Sequence, residues 1–289
     1  MSALKSLRKY HRQKVWWRYL VAALALVFAL MPVIWVIGAA FGPSGLTTQT
    51  VIPRVFSLDN FKVLFNDENV PFALWYRNSL LICTSAAIMQ VAIATFAAYA
   101  FSRFRFKGRR LSLVGLLVLQ MFPQLLSLVA IYLLMYRVSL IFPAIGTGSA
   151  LGLILVYLGG AMGYNTYLLK GFFDSIPREI DEAAKVDGAT AGQTFRQIIL
   201  PLAVPMLAVV MLLSFIGLLN DFLLASLFLQ TKEEYTLAVG LQAFVSGQYE
   251  QQWGPFAAGA LLTALPIIVL FQFLQRYIVE GLSAGSVKG

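Results

Sequence analysis

The sequence is short of charge, histidine and cysteine. Of its 289 residues 12% are charged, where a soluble domain carries about 25%, so there is too little polar surface for an ordinary soluble enzyme. The 59% apolar share and the mean hydropathy of +0.77 equally exclude a disordered or nucleic-acid-binding tail protein. A single histidine, His11, removes most imidazole-based metal ligation and proton relay. The lone cysteine, Cys83, lies in an apolar run and has no partner in the chain for a disulfide or a multi-cysteine metal site. No Gly-x-x-x-x-Gly-Lys-Ser/Thr stretch occurs, so the chain does not itself cradle ATP phosphates in the usual way. No catalytic residue and no metal site is assigned.

What remains is a chain solvated largely by lipid. Crossing about 30 Å of hydrocarbon takes roughly 20 apolar residues, and six runs qualify: 19–41, 79–101, 111–136, 149–169, 200–228 and 255–275. The first follows six basic residues, as a signal peptide would. Its 23 uncharged residues exceed the 7 to 15 of a signal h-region, so an uncleaved anchor is expected. Seventeen of the 22 Lys and Arg fall before span one, between spans two and three, between four and five, and after six. The positive-inside rule then predicts an all-α integral membrane protein with six transmembrane helices and both termini cytoplasmic. Trp16, Trp17 and Tyr19 fit the inner aromatic belt. The +9 net charge reads as this bias plus attraction to anionic lipid, not to nucleic acid.

Prolines stand inside the spans at Pro32, Pro123, Pro205 and Pro266, and polar side chains at Gln120, Gln124, Asn165 and Asn220. Kinks and polar groups at membrane depth fit a bundle around a translocation path, while each proline alone is equally a packing kink. Asp221 is the one charge within a span. An intramembrane carboxylate marks a functional site, yet its place near the end of the fifth run also suits a plain position at the outer interface. Gln120, Gln124, Asn220 and Asp221 are the translocation-path candidates.

The segment between spans four and five reads as two short helices. Ser175 can cap the first, with Pro177 in its opening turn and Glu179, Asp181 and Glu182 near the positive end of the dipole. Ile180, Ala183 and Ala184 share a small-residue face. Gly188 suits a left-handed stop, and Thr190 to Gln193 has the spacing of a capping box. Helices that rest on a leaflet are rich in Lys and Arg, whereas this segment has five acids against four bases. Docking into another protein's groove is expected, with Glu182 and Asp187 as acceptors for a partner's Arg or Lys.

Glu182-Ala183-Ala184, then Gly188, then Ile198-x-Leu200-Pro201 resembles the cytoplasmic signature of ATP-binding-cassette importer permeases. Gln120-Met121-Phe122-Pro123, Tyr157-Leu158-Gly159-Gly160, Tyr235-Thr236-Leu237-Ala238-Val239-Gly240 and the terminal Gly281 to Gly289 resemble the MalG-type permease family of maltose and maltodextrin importers. That resemblance implies the type I importer permease fold and a transport subunit with no enzymatic activity of its own, in a bacterial inner membrane. It implies a basic N-terminus over 1–18, a permease domain over 19–279 with a coupling loop at 171–200, and a cytoplasmic tail over 280–289. The coupling residues would be Glu182, Ala183, Ala184, Asp187, Gly188, Ile198, Leu200 and Pro201. Gly285, Val287, Lys288 and Gly289 would make a second ATPase contact, though such a tail read alone is simply disordered. Ser246, Gly247, Gln248, Tyr249 and Glu250 resemble an outer loop that probes a binding protein's sugar cleft, and read alone they form a solvated turn. The implied partners are a second, MalF-like permease that supplies most sugar contacts, two copies of a MalK-like ATPase carrying ATP and Mg, and an extracytoplasmic sugar-binding protein. The chain itself would hold no cofactor. Import of another sugar such as trehalose or sucrose is the alternative within the family. An ion-coupled secondary transporter would need inverted repeats, and the sequence has no internal repeat.

Overall fold

The computed structural model describes residues 2–43, 55–246 and 251–286, and among these there is no β-strand. The helices are α1 (Ser2–Ala40), α2 (Asp59–Asn66), α3 (Phe72–Arg103), α4 (Arg109–Met121), α5 (Gln124–Ile141), α6 (Ala150–Gly159), α7 (Tyr164–Ser175), α8 (Arg178–Val186), α9 (Ala191–Gln193), α10 (Leu200–Leu219), α11 (Leu223–Phe228), α12 (Leu237–Gln242) and α13 (Trp253–Ser286). Among the described residues four stretches are long and apolar enough to cross a membrane, and up to six if each of two bent pairs counts as one span.

The expected third, fourth and fifth spans are not straight rods. Pro123 holds Phe122 extended at ψ 130°, since the proline ring disfavours helical backbone in the residue before it. Helix α4 therefore ends at Met121, and α5 leaves at 101° to it. Between α6 and α7 the chain makes a tight turn over Gly160–Met162, and the two helices bend by 49°. The fifth run stops as a helix at Leu219; Asn220 and Asp221 bond back to Ile216 and Leu218, and α11 starts afresh. Asp221 thus sits at a helix break, not inside a continuous span. At the other end α9 runs through a π-helical turn, Thr194–Ile199, into α10. Pro201 in the first turn of α10 has no N–H to continue the ladder, so the widening falls where a donor is missing.

The chain divides into two units, residues 1–67 with 244–262, and 68–243 with 263–289. In the first, buried Asn60 donates to the carbonyls of Ala39, Ala40 and Gly42 at 3.2, 3.1 and 2.8 Å, which satisfies the C-terminal end of α1. Phe41 packs on Phe61, and Trp35 meets Trp253 edge-on. Beyond Arg18 the Trp16–Ala40 stretch is apolar all round and carries most of its surface exposed, the pattern of a helix dissolved in lipid.

In the second unit α3 is the central helix. Ala86, Ala87, Ala94 and Ala98 are fully buried along it, and such small side chains let neighbouring backbones approach closely. One apolar cluster gathers Cys83, Leu153, Tyr157, Phe215 and Phe228; another gathers Tyr99, Leu169, Phe173, Phe195 and Ile199. The start of α3 is pinned to the 232–237 segment. Trp75 Nε1 donates to Lys232 O at 2.6 Å, Asn78 to Glu233 O and Tyr235 O, and Ser79 Oγ accepts from Leu237 N at 2.7 Å. The Trp75 ring lies flat on Gly240, where a Cβ would stand 2.3 Å from it.

Candidate functional site

Helix α8 follows Ile176 and Pro177, both extended. Pro177 occupies the position before the first turn, and no side chain caps it. The expected Ser175 cap does not form: Ser175 ends α7 and its hydroxyl donates to Phe172 O. Two extended residues separate it from the orphan N–H groups it would have to reach. The first turn does carry Glu179 and Asp181, which favour the positive end of the helix dipole.

The C-terminal stop is as expected. Gly188 takes φ +84°, its N–H bonds Lys185 O, and Ala189 N–H bonds Ala184 O, the paired closure of a Schellman motif. Thr190 and Gln193 form the reciprocal capping box of the next helix.

The two faces of α8 differ from the expected small-residue stripe. Ala184 is 5% exposed, and half-buried Ile180 packs on the second apolar cluster. Ala183 points outward with Glu179, Glu182 and Val186, and Val186 is 87% exposed. These four stand at i, i+3, i+4 and i+7, one continuous helical face. Val186 was not identifiable in the sequence, because a single valine beside two charged residues carries no periodic signal. Asp187 extends this surface at the exposed C-terminal end. Ile198 and Leu200 are half-buried and Pro201 is exposed on the far side of the capping box. The signature therefore separates into an outward face, a turn at Gly188, and a root leading into α10.

Helix α8 is clamped to the end of α3. Arg103 Nε stands 3.0 Å from Asp181 Oδ2, with the two side chains only 6% and 14% exposed. The contact is an ion pair with poor hydrogen-bond alignment. Arg103 Nη2 also donates to Ile176 O at 3.0 Å, and Arg178 Nη2 to Ser102 O at 3.2 Å. Ser102 Oγ donates to Asp174 Oδ1 at 2.7 Å, and Asp174 pairs with Lys170. Two arginines, one from each helix, thus reach across the same junction.

A cavity of about 770 Å³ lies between α3, α5, α6, α7 and α10. Asp221 lines it; Asn165, Gln90, Tyr157, Tyr164 and Ser214 supply further polar groups. Tyr157 donates its hydroxyl to Asp221 Oδ2 at 2.8 Å, Asn165 Nδ2 donates to Ser214 Oγ at 2.9 Å, and Gln90 Nε2 donates to Tyr157 O at 2.6 Å. Of the other path candidates, Gln120 lies over Gly163, outside this lining, and Asn220 is exposed and donates to Ile216 O. The backbone of Gln124 opens α5. Gln90, Tyr164 and Ser214 went unread in the sequence, and Tyr157 was read only as part of a family motif, because a hydroxyl or amide within an apolar run gives no sign of which face it occupies. A second groove of about 530 Å³ is apolar apart from Thr95 and Tyr277, and Thr95 bonds its own helix at Val91 O.

Ser246 lies at the edge of the described residues, while Gly247, Gln248, Tyr249 and Glu250 fall outside them. Gly285 is in the last turn of α13, and Val287, Lys288 and Gly289 are likewise outside. Among the described residues no cluster of three or more His, Cys, Asp or Glu could hold a metal ion.

Residues 90–283 match the family of binding-protein-dependent transport system inner membrane components. The chain is 43% identical, over the full length of both, to GanQ, the galactooligosaccharides transport system permease protein of Bacillus subtilis (strain 168). It is 42% identical to the maltodextrin transport system permease protein MdxG of the same organism, over 94% of this chain and 95% of that one. With MalG, the maltose/maltodextrin transport system permease protein of Escherichia coli (strain K12), it shares 39% identity over 97% and 98%. Its fold is similar to a chain of a bacterial ABC transporter involved in the import of the acidic polysaccharide alginate, with a TM-score of 0.75 and 22% identity over 92% of this chain and 96% of that one. The chain belongs to the binding-protein-dependent transport system inner membrane component family, and is a multi-pass permease subunit of an ATP-binding-cassette importer.

Proposed function

We propose that this permease carries neutral oligosaccharides of the maltose and maltodextrin type, and that α8 is the lever through which a separate ATPase drives it. The observation that carries the reading is the outward face of α8, Glu182, Ala183 and Val186, on a helix whose other side is tied to α3 by Arg103 and Asp181. Val186 is 87% exposed, with Glu182 and Asp187 beside it. It suits a cleft on another protein, where the small Ala183 permits close approach and Glu182 and Asp187 meet basic groups.

The arrangement is a type I importer permease. Each bent pair, α4 with α5 and α6 with α7, counts as one span of six, and both termini are cytoplasmic. The bias of Lys and Arg toward one set of loops supports that orientation. Residues 1–18 form a basic cytoplasmic segment, 19–279 the permease domain with its coupling loop at 171–200, and 280–289 a cytoplasmic tail. Ile198, Leu200 and Pro201 root the lever in α10, while Gly285 to Gly289 add a second ATPase contact and Ser246 to Glu250 face the binding protein. The partners are a MalF-like second permease, two copies of a MalK-like ATPase that holds ATP and Mg, and an extracytoplasmic sugar-binding protein. ATP closes the ATPase pair, the cleft carries α8 with it, and the ion pair passes the displacement to α3, which reaches the cavity at Gln90. Sugar biases this two-state bundle only through unequal affinity for its states.

A second substrate reading, galacto-oligosaccharides, is favoured by the full-length identity to GanQ. Uptake of radiolabelled maltotriose and β-1,4-galactotriose by the reconstituted complex distinguishes the two. In the same complex Glu182→Lys is expected to leave membrane insertion intact and to weaken both co-purification of the ATPase and uptake. Unchanged uptake and co-purification would overturn the coupling assignment.

A further inference from the structure

We propose that this chain carries its own pyranose-binding subsite, built on Asp221 and Asn165, so that sugar contacts are not left to the second permease alone. The inference rests on the oligosaccharide reading above and assigns it to particular atoms. Both hydrogen bonds that hold the Asp221 carboxylate, from Tyr157 Oη at 2.8 Å and Ala225 N at 3.2 Å, go to Oδ2. Oδ1 takes none from the described residues and belongs to a side chain that lines the cavity. A carboxylate tethered through one oxygen holds the other in a fixed position as an acceptor, which is what a sugar hydroxyl needs as a donor.

Asn165 is placed in the same way. Its amide nitrogen is committed to Ser214 Oγ, and its carbonyl oxygen accepts nothing from the described residues. Tyr164, on the adjoining position of α7, lines the cavity and is 62% exposed as a residue. A pyranose offers hydroxyl edges and an apolar C–H face, so two fixed acceptors and a free aromatic ring match it in kind. A lipid chain would have no use for the acceptors, and a bare cation would want more than one free carboxylate oxygen. The volume of about 770 Å³ lies within the roughly 300–1,000 Å³ of small-ligand pockets. Space is kept open by Gly159 and Gly217, at each of which an added Cβ would meet nothing within 4 Å.

The test uses the assembled complex with its ATPases and binding protein, during turnover with ATP. Gly217→Cys places a thiol in the cavity without removing a polar group, and the native Cys83 is 1% exposed and serves as background. Maltotriose or β-1,4-galactotriose, whichever the complex transports, should slow alkylation of that thiol by a small maleimide several-fold. Adding Asp221→Asn, which keeps an acceptor for Tyr157 but removes the charge, should raise the sugar concentration needed for half-protection about tenfold, the loss expected for one charge-assisted hydrogen bond. An alkylation rate unaffected by a sugar that the complex does transport would overturn the subsite and leave the permease reading standing. Protection that persists undiminished with Asp221→Asn would overturn the role of the carboxylate. A complex that moves neither oligosaccharide overturns the substrate reading and the subsite together.

Discussion

If α8 is a lever, its root must be stiff, and the Arg103–Asp181 pair is where stiffness can be measured. At 3.0 Å and an effective dielectric of about 20, the gross attraction is about 5–6 kcal/mol. Desolvation offsets much of this, since the two side chains are 6% and 14% exposed. Removing one partner strands the other: among the described residues Asp181→Ala leaves the Arg103 guanidinium with Ile176 O as its one acceptor, and Arg103→Ala leaves a carboxylate that is 14% exposed without its cation. Each single substitution should loosen α8 by about 2–4 kcal/mol, with a coupling between them of about 1–3 kcal/mol. The assay is amide hydrogen exchange over residues 178–186, which reports the free energy of local opening. Exchange there should accelerate about thirtyfold or more in either single variant, and in the double by clearly less than the product of the two single effects. Arg103→Lys should fall between, because an ammonium can serve Asp181 or Ile176 O but lacks the fork that serves both. Singles that add in the double within about 0.5 kcal/mol, or exchange that does not change at all, would refute the clamp.

Val186→Glu should leave the folded chain as stable as before, because the side chain is 87% exposed. It should weaken ATPase association about tenfold, as expected for burying a carboxylate where about 1.5 kcal/mol of valine burial is lost; pull-down titration in mild detergent checks it. Gly188→Ala, at φ +84°, should cost about 1–2 kcal/mol of local stability and raise exchange at the C-terminal turn of α8, with no change in cavity labelling. Gly240→Ala drives a Cβ into the Trp75 ring at 2.3 Å and should lower the melting temperature of the detergent-solubilised chain by several degrees, at a cost of about 1–3 kcal/mol.

Much of this architecture is written in the apolar runs, because a lipid-solvated helix must satisfy its backbone internally and advertise its length in hydropathy. The Gly188 stop and the Thr190–Gln193 box were equally legible, since both depend on local chemistry within a few residues. What stayed hidden was direction. Hydropathy registers the transfer of a side chain and not the path of the backbone, so the 101° break at Phe122 and Pro123 and the 49° bend near Gly160 look like kinks in continuous spans. Asp221 read as a residue inside a span because Asn220 and Asp221 interrupt the apolar pattern too briefly to mark the end of α10. Facing was hidden too. Ala183 and Ala184 are identical in sequence terms, yet one turns outward and the other packs inward, a distinction set by the Arg103 and Arg178 contacts from and to α3. Those contacts join residues more than seventy positions apart and leave no local trace.

The proposed docking of the outward face of α8 within a partner ATPase is open to a direct test. The direct measurement is site-specific photo-crosslinking from position 186 in the assembled, transporting complex, with and without ATP. Docking in the ATPase cleft should give one dominant adduct, of permease plus ATPase mass, whose yield changes with nucleotide. An adduct only to lipid or to the second permease, in a complex that still imports sugar, would contradict it.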